Sequence, residues 1–265
     1  MTYGFIGSGN MGGALARAAA KAVAPQSILL ANRTVDKAVL LAEEIGACVA
    51  DNDSIAQSCG CIFLGVKPQM MPQVLASLRP ALAARSDEPL LISMAAGLTI
   101  ADIQRMAGQP YPTIRIMPNT PCAVGEGLTL YACSDNVTAT QKETFLHVMS
   151  HSGLLEPLAE QLIDAGSAVA GCGGAYVCLF LEALADGAVL CGLPRDKAQR
   201  YAAQMLKGSA ALALQSGTHT GAMKDAICSP GGTTIAGVRA LEEGGFRAAA
   251  MNAVIAAYQR TKELK

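Results

Sequence analysis

The sequence predicts an α/β fold, in which a parallel sheet carries helices on both faces, followed by a region built of helices alone. In the first part of the chain, short apolar runs alternate with segments of helical periodicity, which is typical of parallel sheets. The run at residues 61–66 is apolar throughout, as expected for a strand covered on both faces. After Glu160 the strand pattern ends, and alanine-rich helical sequence follows. We therefore expect two domains, residues 1–159 and residues 160–265.

Composition restricts the classes of partner. The chain has 265 residues, 51% of them hydrophobic, which is enough for two buried cores. Its formal net charge of -1 gives no electrostatic sign of nucleic acid or anionic membrane, so small molecules are the expected partners. The first strand begins within two residues of Met1, which leaves no space for a signal peptide and predicts a cytoplasmic protein.

The cysteines and one long apolar stretch also bear on the class of protein. Nine cysteines without a C-x-x-C pair lie in largely apolar sequence, so we expect reduced thiols, no disulfide and no zinc site. The apolar stretch at residues 175–193 is long enough to raise the question of a membrane span. Glu182 and Asp186 would each cost about 3 kcal/mol at a bilayer centre, which favours a buried core helix.

A glycine-rich turn joins the first predicted strand to the first helix. It has the pattern G-x-G-x-x-G, in the sequence Ile6-Gly7-Ser8-Gly9-Asn10-Met11-Gly12. Between a strand and a helix, this spacing is the fingerprint of a Rossmann-like dinucleotide-binding domain. Gly7 would allow the tight turn, Gly9 the close approach of the pyrophosphate, and Gly12 the packing of helix on strand. The alternative is a glycine-rich turn that binds nothing.

The end of the second strand predicts which dinucleotide binds. The strand at Ile28–Ala31 is followed by Asn32-Arg33-Thr34, where an NAD-specific site would place Asp or Glu. A carboxylate there would repel a 2′-phosphate, whereas Arg33 beside amide and hydroxyl donors can bind it. NADPH is therefore favoured over NADH. The alternative is that Arg33 is an ordinary solvated residue.

The ends of the later strands supply further candidate cofactor contacts, because ligands bind at the carboxyl ends of such strands. After a helix at 35–45 and a short strand near 48–50, Asn52 in a loop can reach the adenosine ribose. The small side chains after the strand Leu90–Ser93 would let a nicotinamide ring lie close to the backbone. The contacts predicted at the ends of the fourth and fifth strands are Gly65, Val66, Lys67, Pro68, Met94, Ala95 and Ala96.

The remainder of the first domain gives one weak metal signal. A sixth strand (Thr113–Met117) leads into Pro118-Asn119-Thr120-Pro121, and a strand at 128–131, a helix at 140–150 and the apolar pair Leu154-Leu155 close the domain. His147 and His151, four residues apart, would share a helix face. Without the Glu of H-E-x-x-H or a third ligand, we interpret them as surface histidines and predict no metal.

Helices at 175–191, 195–215, 233–243 and 246–262 are predicted for the second domain. Gly192 and Pro194 end the first of them. Since these helices are apolar on nearly all sides, they must bury more than one face, which predicts dimerisation through this domain. Glu182 and Asp186 lie on one helix face, where a role as an acid/base pair is conceivable. We favour the interpretation that they are charges paired across a helix interface or exposed on the one solvated stripe of the helix.

The loop Ser229-Pro230-Gly231-Gly232-Thr233-Thr234 opens directly into a predicted helix. Free amides from Gly232 to Thr234, with the hydroxyls of Ser229 and Thr234, suit a carboxylate better than a metal. The alternative is ordinary helix capping, which uses the same residue types.

Taken together, these motifs resemble the pyrroline-5-carboxylate reductases over essentially the whole chain. The similar segments are residues 5–11, 66–68, 119–121, 183–187, 192–194 and, most specifically, 229–234 and 241–246. The resemblance implies NADPH- or NADH-dependent reduction of 1-pyrroline-5-carboxylate to L-proline, and helical domains interlocked into dimers that assemble further, into decamers in the family. It implies that the Ser229–Gly232 loop holds the substrate carboxylate, that Thr234 contacts the substrate nitrogen, and that Asn119 and Glu160 lie on the substrate side. Gly174 stands where the family commonly has proline, which loosens the helix start.

Other dehydrogenase classes fit less well. A 3-hydroxyacid dehydrogenase would need a lysine early in the second domain, yet there is no Lys or Arg between Lys142 and Arg195. A 2-hydroxyacid dehydrogenase would need a His base paired with a carboxylate, and that domain offers only His219, in a predicted loop. Two alternatives stay open: an imine reductase for another cyclic imino acid, and a non-catalytic NADP-binding sensor.

Overall fold

The computed structural model describes residues 1–263, and its sheet has eight strands. Their bounds are β1 (Tyr3–Ile6), β2 (Ile28–Ala31), β3 (Cys48–Val49), β4 (Cys61–Leu64), β5 (Leu90–Ser93), β6 (Thr113–Met117), β7 (Gly127–Cys133) and β8 (Gly153–Pro157). The strands lie in the order β3-β2-β1-β4-β5-β6-β7-β8. All neighbouring pairs are parallel except β6 and β7. The Rossmann-like α/β prediction is confirmed, with an antiparallel junction near one edge.

Within residues 1–263, six α-helices precede β8 and six follow it. The first six are α1 (Asn10–Ala22), α2 (Val35–Ile45), α3 (Asn52–Ser58), α4 (Met71–Ala83), α5 (Ile100–Ala107) and α6 (Ala139–Val148). The second six are α7 (Ile163–Ala170), α8 (Gly173–Leu190), α9 (Arg195–Ser216), α10 (Thr220–Ile227), α11 (Thr233–Glu243) and α12 (Phe246–Glu263). The predicted change from a mixed to an all-helical sequence after Glu160 is therefore observed.

The sheet is buried on both faces because its strand residues alternate between two apolar clusters. On one face Phe5 stacks on Phe63, with ring centroids 4.3 Å apart, and both belong to a cluster with Leu30 and Ile92. On the other face Leu64 packs in a cluster with Leu75 of α4. Each fully buried side chain of this size stabilises the fold by about 1.5–3 kcal/mol. This two-sided burial is why β4 is continuously apolar.

Several element predictions were wrong or incomplete. Asn52 was expected in a loop, but it is the first residue of α3, whose N-cap Asp51 accepts a hydrogen bond from the amide of Ser54. The pattern for β4 extended to Val66, whereas the strand ends at Leu64 and the chain bends at Val66. His219 lies in a loop as expected, but the helix α10 that follows it was not predicted, and His219 caps this helix by accepting from the amide of Gly221 through Nδ1.

The chain divides into two compact units, residues 1–172 with the chain from 257 onward, and residues 173–256. The boundary at 159/160 expected from the sequence stays a prediction. In the second unit α8 packs along α9, Phe180 contacts Phe246, and the Tyr176 hydroxyl donates to the carbonyl of Ala253.

α8 is not a buried core helix within the single chain, contrary to the sequence-based expectation. Only Ala185 of this helix is buried, while Val177, Leu179 and Leu190 are exposed. By length and composition alone, residues 160–190 could also cross a membrane. The apolar side chains of α8 are therefore largely uncovered within residues 1–263.

Candidate functional site

The three fingerprint glycines have distinct surroundings in the loop between β1 and α1. Gly7 has φ +96°, and a Cβ there would lie 2.7 Å from the carbonyl carbon of Gly65. A Cβ on Gly12 would lie 2.2 Å from the carbonyl oxygen of Gly7. A Cβ on Gly9 would meet nothing within 4 Å. Gly7 and Gly12 are therefore required by the protein itself, whereas the space at Gly9 fits a bound group.

The N-terminus of α1 is left open for an anion. Its N-cap, Gly9, has no side chain to accept from the first-turn amides, and that turn contains no acidic residue. By contrast, α3 is capped by Asp51, α5 by Thr99 and α6 by Thr138, each through a side-chain oxygen. Unpartnered amides at the positive end of a helix favour phosphate binding. The local geometry thus fits the pyrophosphate of a dinucleotide.

The loop after β2 lies beside this turn. The amides of Gly7 and Ser8 both donate to the carbonyl of Ala31, at 2.9 and 3.2 Å. The side-chain amide of Asn32 donates to the carbonyl of Thr34 at 3.0 Å, which shapes the loop. Arg33 between them is exposed and has no hydrogen bond or ion pair within the described part of the chain. Its guanidinium is available to a ligand phosphate.

The other predicted cofactor residues lie along the same sheet edge. Register pairs Ile6 with both Ala31 and Leu64, and Leu64 with Ser93, so the residues after these strands are neighbours. The amide of Met94 donates to the carbonyl of Leu64 at 3.3 Å. After Gly65, Val66 and Pro68 are half-buried while Lys67 is exposed; after Met94, Ala95 is buried while Ala96 is exposed. Half-buried Asn52 follows β3 at this edge.

The segment that follows β5 is held at its far end by a capped helix. The hydroxyl of Thr99 accepts from the amide of Asp102, whose carboxylate accepts from the amide and hydroxyl of Thr99 and pairs with Arg105. Burial raises the pKa of the Asp102 carboxyl, but the bonds from Thr99 and Arg105 outweigh it, so the pKa lies below its usual range. This capping box keeps α5 in place near neutral pH.

A buried arginine on β6 was missed by the sequence analysis. Arg115 is 2% exposed, pairs through Nη2 with the carboxylate of Asp164, and lies 3.7 Å through Nη1 from that of Glu160. Its Nε has no hydrogen-bond partner. The available signal was one charged residue inside the apolar strand Thr113–Met117, since a buried charge requires an opposite one.

Asn119 and Glu160, which the resemblance places on the substrate side, both make contacts within the first unit. The Asn119 amide donates to the carbonyl of Ala170 at 3.1 Å and accepts from the amide of Leu128 at 2.9 Å. Glu160 accepts from the amide of Ile100 at 2.6 Å. Both side chains keep further hydrogen-bonding capacity, so a substrate role stays a prediction.

The Ser229–Thr234 loop forms a tight turn before α11. The amide of Gly232 donates to the carbonyl of Ser229 at 3.0 Å, and Gly231 has φ +68°. Pro followed by Gly at the turn centre is typical of a type II turn. A Cβ on Gly232 would lie 2.3 Å from the Ser229 hydroxyl, so that hydroxyl lies against the N-cap backbone of α11.

Like α1, helix α11 begins after a glycine, with no side-chain cap and no acidic residue in its first turn. Thr233 and Thr234 are exposed. The hydroxyl of Thr234 has no hydrogen-bond partner within the described residues. This helix start therefore presents amides and hydroxyls that are suited to a carboxylate.

The remaining polar residues that the sequence analysis considered are the two carboxylates of α8 and the histidines near α6. Asp186 is exposed and pairs with Arg195, and Glu182 is also exposed, as the ion-pair or solvated-stripe interpretation predicts. α6 ends at Val148, so His151 is not on its helix face, contrary to expectation. Among residues 1–263, no group of three or more His, Cys, Asp or Glu side chains could hold a metal ion.

Known proteins match this chain over both the sheet-containing part and the helical part of its sequence. A sequence model described as pyrroline-5-carboxylate reductase dimerisation matches residues 160–264. A second, described as NADP oxidoreductase, coenzyme F420-dependent, matches residues 2–97. Pyrroline-5-carboxylate reductase of Synechocystis is 43% identical, with 98% of this chain and 97% of the relative covered. That of Escherichia coli is 40% identical, covering 98% and 97%.

The similarity extends to solved structures. Pyrroline carboxylate reductase of Plasmodium falciparum, determined with NADP bound, is 33% identical, with a TM-score of 0.87 and coverage of 99% of this chain and 97% of that one. This match covers residues of both compact units.

Proposed function

Since the chain belongs to the pyrroline-5-carboxylate reductase family, we propose that the N-termini of α1 and α11 are its cofactor and substrate sites. The enzyme is an NAD(P)-dependent oxidoreductase that reduces 1-pyrroline-5-carboxylate to L-proline. The observation that carries the site proposal is shared by both helices, namely a glycine N-cap that leaves first-turn amides free.

In this proposal each helix start binds one anionic group. The amides after Gly9 hold the pyrophosphate, and the sheet-edge residues from Asn32 to Ala96 described above hold the two ends of the dinucleotide. Ser229 and the backbone from Gly231 to Thr234 hold the substrate carboxylate, with Asn119 and Glu160 on the substrate side. NADPH, when bound, supplies the hydride that reduces the imine carbon.

The remaining chemistry is the delivery of one proton to the imine nitrogen. A cyclic imine is partly protonated near neutral pH, so water can supply this proton and no ionisable side chain is required. The Thr234 hydroxyl orients the nitrogen, and the enzyme acts mainly by positioning. The direct test mixes the protein with NADPH and pyrroline-5-carboxylate, follows absorbance at 340 nm and measures proline. NADPH binding with no turnover of any cyclic imino acid would instead indicate a sensor.

Arg33 should set the preference for NADPH over NADH. A guanidinium–phosphate hydrogen bond contributes about 1.5–3 kcal/mol, so Arg33→Asp should lower kcat/KM with NADPH by roughly ten- to a hundredfold. With NADH, the new carboxylate can accept from the ribose hydroxyls, and kcat/KM should hold or rise. The matched control is Lys21→Asp, which makes the same charge change on an exposed residue at the far end of α1. An unchanged ratio of the two kcat/KM values in Arg33→Asp would refute the assignment.

The second unit should assemble through α8. Leu179 is 67% exposed in the single chain, and an apolar surface of this kind marks an interface. We expect light scattering to show a dimer or larger assembly at micromolar concentration, and Leu179→Arg to shift it toward monomer. Leu40→Arg on α2 is the control, since Leu40 is 66% exposed but lies in the first unit. A full-length monomer at that concentration would contradict the proposal.

We further propose, as the family resemblance implies, that these dimers assemble into decamers. We also propose that the enzyme works in the cytoplasm and that a second copy, rather than lipid, covers α8. Glu182 and Asp186 support this, because each is costly in a bilayer and both are exposed on α8.

A further inference from the structure

We propose that Arg115 is a positioning residue for the nicotinamide segment, defined here as Met94–Thr99. The inference rests on the proposed function, which places the nicotinamide ring on this segment. Arg115 itself touches neither cofactor nor substrate in this proposal. It acts through Glu160, which connects it to the helix at the end of the segment.

The segment is fixed at two ends. At its start, the amide of Met94 donates a hydrogen bond to the carbonyl of Leu64, and the amide of Ala95 approaches the hydroxyl of Ser93 at 3.4 Å. At its end, Glu160 accepts from the amide of Ile100, the first residue of α5, at 2.6 Å. A carboxylate at this point is favoured by the helix dipole as well as by the hydrogen bond.

Arg115 determines where that carboxylate lies. Its Nη1 is 3.7 Å from the same Glu160 oxygen that accepts from Ile100, while Nη2 is held by the buried carboxylate of Asp164. Ser93, the residue before the segment, is the register partner of Arg115. The backbone of Arg115 therefore lies beside the residue that precedes the segment, and its guanidinium lies against the carboxylate that fixes the end of the segment.

If this ion cluster served only to stabilise the fold, the desolvation of its buried charges would offset much of the gain. Ile100 already packs in an apolar cluster with Met117, Leu130 and Ile163. Apolar residues of similar volume often replace a buried ion pair at no loss of stability, and the Nε of Arg115 lacks a partner. Apolar packing does not, however, supply a hydrogen bond that fixes the orientation of the Ile100 amide. This favours positioning as the role of the cluster.

The test is the double variant Arg115→Met/Asp164→Asn, which removes the guanidinium without leaving a buried charge unpaired. The control is Arg85→Met/Asp87→Asn, which removes another largely buried arginine and its carboxylate partner in the same unit. We expect amide exchange of residues 94–100 in the cofactor-free enzyme to become about tenfold faster only in the first variant. Because the pyrophosphate and adenosine contacts are retained, the Kd for NADPH should change less than about threefold.

The nicotinamide ring should nevertheless be misplaced. We expect a smaller fluorescence enhancement of bound NADPH and single-turnover hydride transfer that is slower by roughly ten- to a hundredfold, since misplacement by about 1 Å can cost that much. Normal fluorescence and hydride transfer in the folded double variant, even with lower thermal stability or faster exchange, would overturn the proposal. If that variant does not fold, Arg115→Lys serves instead, because an ammonium cannot span both carboxylates as a guanidinium does. Absence of NADPH turnover in the unmutated enzyme would refute the proposed function separately.

Discussion

Gly9→Ala should strongly weaken NADPH binding while leaving the fold intact. A Cβ at this position meets no protein atom within 4 Å, and Gly9 has φ -75° and ψ -157°, which alanine adopts without strain. Alanine is a poorer N-cap than glycine but restricts the unfolded chain more, so the two effects on stability offset to within about 1 kcal/mol. The added methyl group lies where the pyrophosphate must approach the backbone. We expect the Kd for NADPH to rise by roughly a hundredfold or more, a loss of about 2.7 kcal/mol.

Gly12→Ala is the informative comparison, because the same methyl group there has no room. Its Cβ would lie 2.2 Å from the carbonyl oxygen of Gly7, so this variant should lose thermal stability as well as cofactor affinity. Thermal unfolding and NADPH titration of both variants separate the two causes. Wild-type NADPH affinity in Gly9→Ala would show that the space at Gly9 does not hold the pyrophosphate.

The fold around the proposed cofactor site was predictable because its determinants are local in sequence. Gly7, Gly9 and Gly12 lie within one strand–turn–helix unit, and their spacing in that context identifies the turn. The parallel register then brings Arg33, Gly65 and Met94 to the same edge, since each follows the carboxyl end of its strand. The assignment of each residue to a contact with NADPH is still a prediction.

Elements interrupted by proline or shortened by their capping residues were harder to predict. α4 has Pro72 in its first turn and Pro80 inside it, which breaks the helical signal, and it still forms because Leu75 and Leu78 pack under the sheet. α3 is seven residues long and begins at Asn52, a residue type that favours loops. In both helices tertiary packing outweighs local propensity.

The Arg115 cluster could not be predicted because its partners are distant in sequence. Arg115 and Asp164 are 49 residues apart, and neither has a local pattern that identifies the other. The exposure of α8 was unpredictable for a related reason. Periodicity shows that an apolar helix must be covered, but it does not show whether the same chain or a second copy covers it.

Thr234→Ala should slow hydride transfer by roughly ten- to a thousandfold without weakening NADPH binding. Thr234 lies in the first turn of α11, exposed, and its hydroxyl has no partner within residues 1–263, so its loss should cost the fold little. Under the proposed function that hydroxyl orients the imine nitrogen, and its contribution is largest when the nitrogen takes up its proton. Thr234→Ser keeps the hydroxyl and should restore most of the rate. Thr220→Ala removes an equally exposed hydroxyl from the first turn of α10 and should have no effect.

The competing mechanism assigns proton transfer to the carboxylates of α8. Asp186 is occupied by Arg195, and both Asp186 and Glu182 are exposed to water rather than held in an enclosed site. Glu182→Gln and Asp186→Asn should therefore retain the chemical step. Single-turnover absorbance at 340 nm in the three variants decides between the mechanisms. Loss of hydride transfer in a folded Glu182 or Asp186 variant, with Thr234→Ala near normal, would assign catalysis to the carboxylates.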